Sequence, residues 1–147
     1  MSESLQRVLF VCLGNACRSQ MAEAFARAYG SDVLVAASAG LSPGLRVAPD
    51  TVRAMHEKNI DLTDHFPKSI RHLVRARFDI VVNMSGFDIG LDTGGAVIEW
   101  EVKDPYTLSY ERHCEVRDDI ERRVMALILE LRRQRQEPRR RSLHRQP

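Results

Sequence analysis

The chain alternates short apolar runs with segments whose apolar residues recur at helical spacing. Four segments have the length and composition of strands: 8–11, 33–38, 79–83 and 96–102. The first is a short apolar run of the kind that is covered on both faces, and the second is also expected to be buried. Segments with helical character follow them: 19–30, 49–58, 69–75, and a last one from about 109 that ends before Pro138. This alternation predicts a single α/β domain with a four-stranded parallel sheet flanked by helices.

The residues that can do chemistry are concentrated directly after the first predicted strand, in Cys12-Leu-Gly-Asn-Ala-Cys-Arg-Ser19. A loop that joins a strand to a helix N-terminus can bind an anion through its backbone N–H groups. Gly14 and Asn15 allow a sharp turn there. The positive potential of the N–H groups and of the helix N-terminus favours a thiolate at Cys12. Arg18 can offer a planar fork of N–H donors to a tetrahedral oxyanion.

This segment resembles the phosphate loop of the low-molecular-weight protein tyrosine phosphatases, a superfamily that also contains arsenate reductases. Further matching segments are Ser38-Ala-Gly40, Asp61-Leu-Thr-Asp-His65, Phe78-Asp-Ile-Val-Val82 and Asp104-Pro-Tyr106. The resemblance covers roughly residues 7 to 131 and implies a three-layer fold with the phosphate loop after strand 1. Gln20-Met-Ala-Glu23 and Trp100 are more similar to the reductases. The resemblance implies that the phosphate is bound by Leu13, Gly14, Asn15, Ala16, Cys17 and Arg18.

The resemblance also implies the catalytic roles. Cys12 is the expected nucleophile, which forms a cysteinyl phosphate, and Arg18 is expected to hold the oxyanion. Asp104 is expected to protonate the leaving oxygen and then to activate water. Ser19 is expected to donate a hydrogen bond to the Cys12 sulfur, or to act only as a helix cap.

The remaining loop residues have supporting roles in this interpretation. Asn15 is expected to hold the loop shape by pairing with His65. Leu13, Leu45 and Tyr106 are expected to line the substrate pocket. Cys17 is open to two interpretations: a small side chain that fills the loop, or a thiol that traps oxidised Cys12 as a reversible disulfide.

The predicted function is therefore hydrolysis of phosphotyrosine or aryl phosphates, without a metal or other cofactor. The alternative is arsenate reduction with an external small thiol, because residues 84–96 contain no cysteines that could relay a disulfide. A phosphocysteine carrier or an oxyanion-binding module is the third possibility. A carrier would need neither Asp104 nor Arg18, so their presence argues against it.

Length and composition restrict the number of domains, the location and the partners of the protein. The 147 residues suffice for one domain, predicted over 1–131, and the three cysteines do not indicate a disulfide framework. Residues 132–147 hold seven arginines and one glutamate and are predicted to be a disordered basic tail. The tail has no aromatic residue for base stacking, so no nucleic-acid partner is expected. We expect a cytoplasmic monomer or weak dimer with no membrane association, whose partners are a phosphorylated protein, a small aryl phosphate or similar oxyanions.

Overall fold

The computed structural model describes residues 5–137. It contains one sheet of four parallel strands in the order β2-β1-β3-β4. The strands are β1 (Gln6–Cys12), β2 (Leu34–Gly40), β3 (Ile80–Asn83) and β4 (Ala96–Glu99). The helices are α1 (Arg18–Gly30), α2 (Pro49–His56) and α3 (Tyr110–Gln136), and two 3₁₀ turns span Ile70–His72 and Val74–Ala76. The predicted fold class is confirmed.

Strand β1 lies at the centre of the sheet and is buried on both faces. On one face Val8 and Phe10 belong to the main core, which packs against α1 and α3. On the other face Leu9 and Val11 pack with Ile70 and other apolar side chains near the 3₁₀ turns. The uninterrupted apolar run over residues 8–12 suits this place in the sheet, because both faces of the strand are covered there.

Helix α3 covers the sheet with a stripe of buried side chains: Ile120, Val124, Ile128 and Leu131. The Ser109 hydroxyl caps its first turn by accepting from the Arg112 N–H at 3.3 Å. The helix continues to Gln136, beyond the domain boundary predicted at residue 131, and Arg132 forms two 2.9 Å contacts with Asp32. Residues 138–147 of the predicted tail lie outside the described residues.

Two predicted elements differ from the structure. Strand β4 ends at Glu99 rather than at residue 102, and its four residues are exposed. In the described part of the chain it is an edge strand, whose four residues pair with the four residues of β3. The predicted helix over 69–75 is instead two short 3₁₀ turns, from which Ile70 and Leu73 pack against the second apolar cluster. Over residues 5–137, no helix has the length and apolar character needed to cross a membrane.

Candidate active site

The candidate site is a cavity of about 390 Å³ at the carboxyl ends of the strands. Such ends are where open parallel sheets bind ligands. Its walls are formed by the loop after β1, the segment after β2 and the segment after β4. We call residues 12–19 the anion loop and residues 100–109 the acid loop. The cavity is lined by Cys12, Leu13, Gly14, Ala16, Cys17, Arg18, Ser42, Gly44, Leu45, Arg46, Asp104 and Tyr106.

The segment after β2 determines which backbone groups of the anion loop remain free. Its N–H groups at 41, 42, 44 and 48 donate to the loop carbonyls of residues 12, 13, 14 and 16, at 2.8–3.1 Å. Among the described residues, the loop N–H groups of residues 13–17 have no acceptor. Backbone donors without an internal partner form an anion-binding concavity, and the N-terminus of α1 adds positive potential beside them.

The sharp turn of the loop occurs at Asn15, whose φ is 51°. Gly14 was expected to share this role, but it has no positive φ, and an added Cβ there would meet its nearest neighbour at 3.9 Å. The essential glycine is Gly40, at the end of β2. A Cβ at Gly40 would lie 2.8–2.9 Å from backbone atoms of Leu13, Gly14 and Asn15. Only glycine therefore lets the loop pack against the strand end.

A buried chain of hydrogen bonds connects the Cys12 sulfur to a carboxylate inside the protein. Cys12 Sγ lies 2.9 Å from the Ser19 hydroxyl, and the Asn15 amide donates to Ser19 Oγ at 2.7 Å and to Ser38 Oγ at 3.0 Å. Ser38 in turn donates to Glu23 at 2.5 Å. Asn15 Nδ2 can only donate, so Ser19 Oγ accepts the hydrogen bond between them. Of these two partners, only the Cys12 sulfur can therefore accept the proton of the Ser19 hydroxyl.

The expected pairing of Asn15 with His65 is wrong, because Gln20 lies between them. His65 Nδ1 is 3.0 Å from the Gln20 side-chain oxygen, and Gln20 Nε2 donates to Asn15 at 3.1 Å. The Lys68 N–H donates to Asn15 Oδ1 at 2.9 Å, which satisfies the amide further. A glutamine can bridge two groups in this way because its amide carries both donors and an acceptor.

Arg18 is held rigidly at the edge of the anion loop. Its side chain is 7% exposed, and Nη1 donates to the carbonyl of Met84 at 2.5 Å and to that of Val102 at 3.0 Å. Nη2 lies 3.6 Å from Asp104 Oδ2. Nε is buried and has no hydrogen-bond partner among the described residues. A buried unpaired guanidinium N–H is costly, so this group is suited to donating to a bound oxyanion.

Asp104 lies beside Arg18 in the wall of the cavity and is much more accessible. Its side chain is 48% exposed, and Oδ1 accepts from the Tyr106 N–H at 3.0 Å, which forms a local turn. Tyr106 and Leu45 are exposed at the mouth of the cavity, and Leu13 is partly exposed. The structure therefore brings Asp104 into the same cavity as Cys12 and Arg18, although the acid loop holds it through few contacts.

Cys17 is also in the cavity wall, but its environment opposes ionisation. Burial raises the pKa of its thiol to about 11, although a hydrogen bond to Thr51 and the charge of Arg18 act in the opposite direction. None of the three cysteines forms a disulfide in this structure, and Cys114 lies half-buried on α3. Among residues 5–137, no group of three or more His, Cys, Asp or Glu side chains is arranged to hold a metal ion.

Residue-by-residue reasoning missed several contributors to this site. Gln20 and Glu23 face the interior of the protein from α1, Ser38 bridges from β2, and Met84 and Val102 supply carbonyls to Arg18. The sequence pointed to Gln20, Glu23 and Ser38 only in that they fall within the short segments that resemble the family. The two carbonyls have no sequence signal, because any residue could supply them.

Comparison with known proteins agrees with this geometry. The family model for low molecular weight phosphotyrosine protein phosphatase matches residues 7–91, more than half of the chain. The chain belongs to this family.

The relatives and solved structures described next, to which the chain is similar, are named as arsenate reductases. A protein named glutaredoxin arsenate reductase, from Synechocystis sp., is 32% identical over 86% of this chain and 99% of its own length. Arsenate reductase 1 from Bacillus cereus is 34% identical over 83% of this chain and 93% of its own. A solved structure titled as an arsenate reductase in the phosphate binding state has a TM-score of 0.78 and 32% identity, covering 86% of this chain and 99% of that one.

Proposed function

We propose that this protein reduces arsenate to arsenite, with Cys12 as the nucleophile and a small thiol from solution as the reductant. The observation that carries the proposal is the similarity over most of the chain to proteins named arsenate reductases, at 32–34% identity. It reverses the order of the two functions predicted from the sequence, in which phosphate hydrolysis came first. The anion loop supports either function, because arsenate and phosphate are tetrahedral oxyanions of the same charge.

In the first step the anion loop holds arsenate between the free N–H groups of residues 13–17 and Arg18 Nε. The thiolate of Cys12 attacks arsenic, an S–As bond forms and an As–O bond breaks. The leaving oxygen departs as water after it takes a proton from Asp104, which lines the same cavity. Ser19 stabilises the sulfur as a thiolate before the attack.

In the second step an external thiolate attacks Cys12 Sγ. The S–As bond breaks, its electron pair stays on arsenic, and arsenic(V) becomes arsenic(III). Cys12 is left in a mixed disulfide, which a second thiol reduces. The sum is H₃AsO₄ + 2 RSH → H₃AsO₃ + RSSR + H₂O, so both electrons come from the two thiols.

An external thiol is proposed because the chain offers poor internal alternatives. Residues 84–96 contain no cysteine. Cys17 is buried and its raised pKa keeps it protonated near pH 7, which weakens it as a nucleophile. Cys114 lies on α3, outside the lining of the cavity.

Phosphate-monoester hydrolysis is the second candidate. It is supported by the family to which the chain belongs and by the apolar surface that Leu13, Leu45 and Tyr106 present at the cavity mouth. That surface suits an aryl leaving group better than an inorganic oxyanion. In this reaction Asp104 protonates the phenolate, and water then attacks the cysteinyl phosphate with Asp104 as base.

One side-by-side assay distinguishes the two functions. The full-length protein is incubated with arsenate and with p-nitrophenyl phosphate, each with L-cysteine, with glutathione, or with thioredoxin and its reductase and no small thiol. We expect steady-state arsenite formation with a small thiol, at a catalytic efficiency above that for the aryl phosphate. Rapid hydrolysis of the aryl phosphate without arsenite formation would contradict the proposal, and reduction driven by thioredoxin alone would contradict the external small thiol.

A further inference from the structure

A second cavity of about 310 Å³ adjoins the active site and shares two wall residues with it, Arg46 and Tyr106. Its other lining residues are Ala48, Pro49, Asp50 and His113. It has the size of a site for a small metabolite. The reaction proposed above gives this cavity no role, because the arsenate occupies the anion loop in the first cavity.

Two opposite charges border the second cavity without neutralising each other. Arg46 is exposed and Asp50 is partly exposed in the first turn of α2. Within residues 5–137, neither side chain has an ion-pair partner within 4.0 Å. A guanidinium and a carboxylate on the walls of one cavity can bind a ligand that carries a carboxylate and an ammonium group.

His113 is a buried polar residue in the wall of the second cavity. The residue is 1% exposed, and its Nε2 lies 2.7 Å from the Thr51 hydroxyl. Its Nδ1 is buried and has no hydrogen-bond partner in the described part of the chain. The Pro105 carbonyl is close enough to influence the ring, but it does not complete a hydrogen bond of good geometry. The ring is therefore held in the cavity wall by Thr51, and its Nδ1 lies near the carbonyl of Pro105.

We infer that the second cavity binds the thiol co-substrate, and that this co-substrate is a zwitterionic, amino-acid-derived small thiol. Its carboxylate pairs with Arg46 and its ammonium group pairs with Asp50, and the His113 ring forms part of the wall beside them. Because Arg46 and Tyr106 border both cavities, a thiol held in the second cavity can extend its sulfur toward Cys12 in the first. This inference rests on the proposed arsenate reduction and names its reductant.

The test compares four thiols that differ only in their charged groups. L-cysteine carries both groups, 3-mercaptopropionate only the carboxylate, cysteamine only the ammonium group, and 2-mercaptoethanol neither. The kcat/KM for each thiol is measured in arsenate reduction by the wild type, Arg46→Gln and Asp50→Asn. Each thiol is compared with itself in two proteins, so its intrinsic nucleophilicity cancels from the ratio.

Arg46→Gln is expected to lower kcat/KM about 5-fold for L-cysteine and 3-mercaptopropionate, and less than about 2-fold for the other two thiols. Asp50→Asn is expected to do the same for L-cysteine and cysteamine only. Arg71→Gln and Asp64→Asn, at exposed positions outside both cavities, serve as matched charge controls with unchanged ratios. An equal change for all four thiols, or no change, would overturn the inference.

A binding measurement separates this inference from the proposed function. S-methyl-L-cysteine has no free thiol, so it can be titrated into the Cys12→Ser protein without any reaction. We expect a saturable change in the NMR signals of the His113 ring that is lost in a protein also carrying Arg46→Gln and Asp50→Asn. Absence of saturable binding would overturn the inference. Binding without arsenate reduction by any thiol would refute the proposed function and leave the site assigned.

Discussion

The two loops that provide the proposed catalytic groups differ in how firmly they are held. In the anion loop, Cys12, Asn15 and Ser19 are almost fully buried and form a continuous hydrogen-bonded network. In the acid loop, Asp104 is about half exposed, and within residues 5–137 its contacts are an internal turn bond and a 3.6 Å approach to Arg18. The proposed oxyanion-binding groups are therefore already in place in the structure, whereas the proposed proton donor remains accessible to solvent.

This difference has a physical rationale. Donors aimed at a developing charge are most effective when they need no reorganisation, so a rigid anion loop favours the transfer step. The acid must exchange its proton with water in each cycle, which an exposed side chain can do. Substitutions in the anion loop should accordingly affect both stability and activity, whereas substitutions at the acid should affect activity alone.

The largest effect is expected for Cys12→Ser. A serine alkoxide is not available near neutral pH, so arsenite formation should fall to background, at least about 10³-fold below the wild type. The free N–H groups of the anion loop and Arg18 remain, so affinity for arsenate or phosphate should change by less than about 3-fold. Activity is followed as arsenite formation, and binding by calorimetry. Turnover by the serine protein at more than a small fraction of the wild-type rate would disprove the nucleophile assignment.

The rigidity of the anion loop is tested by a pair of substitutions at Asn15. Asn15→Gly keeps the backbone able to adopt a φ of 51° but removes the amide that bonds Ser19, Ser38 and the Lys68 N–H. We expect a loss of about 2 kcal/mol in the free energy of unfolding.

Asn15→Ala should lose about 1 kcal/mol more, because alanine is strained at positive φ. Both proteins should also bind phosphate more weakly. Urea unfolding measures the two losses. Equal stability of the alanine and glycine proteins would show that the backbone conformation contributes nothing.

The contrasting substitution in the acid loop is Asp104→Asn. We expect turnover to fall about 10²-fold, within the range for loss of a positioned acid. The free energy of unfolding should change by less than about 0.5 kcal/mol, as for other exposed positions. With aryl phosphates, the activity loss should shrink as the leaving group becomes more acidic and needs no proton. The same loss for good and poor leaving groups would indicate a structural role for Asp104.

The smallest expected effect concerns the buried thiol of the anion loop. The folded protein raises the pKa of Cys17 from 9.0 to about 11, so folding favours the neutral thiol. This contribution is fully present below pH 9 and is lost as the pH rises toward 11. By linkage it should lower the free energy of unfolding by about 1.3 kcal/mol between pH 8 and pH 10. The difference between the wild type and Cys17→Ser isolates it from the tyrosines, and parallel pH profiles of the two proteins would contradict it.

The sequence predicted best those features for which a single physical requirement restricts the type of residue. The apolar run of β1 predicted a buried central strand, and the spacing of Cys12 and Arg18 pointed to the anion loop, which the structure places in one cavity with Asp104. It was least informative where contacts depend on three-dimensional proximity. The insertion of Gln20 between Asn15 and His65 could not be derived from sequence separation, because the residues meet only after folding.

The limits of the predicted strands have a similar cause. β2 extends to Gly40 because it pairs with Cys12 at the end of β1, and β4 stops at Glu99 where its pairing with Asn83 of β3 ends. Hydrophobicity alone extends β4 to residue 102. The length of a strand is set by its partner, whereas the sequence pattern reports only its own side chains.

The central claim is that arsenate becomes attached to Cys12 and that an external thiol, rather than a cysteine of this chain, releases it. Its most direct test is mass spectrometry of the protein quenched with acid during turnover with arsenate and limiting glutathione. The account predicts a peptide that carries glutathione on Cys12 as a mixed disulfide, with Cys17 and Cys114 unmodified. A Cys12–Cys17 or Cys12–Cys114 disulfide formed during turnover, with no glutathione attached to Cys12, would contradict it.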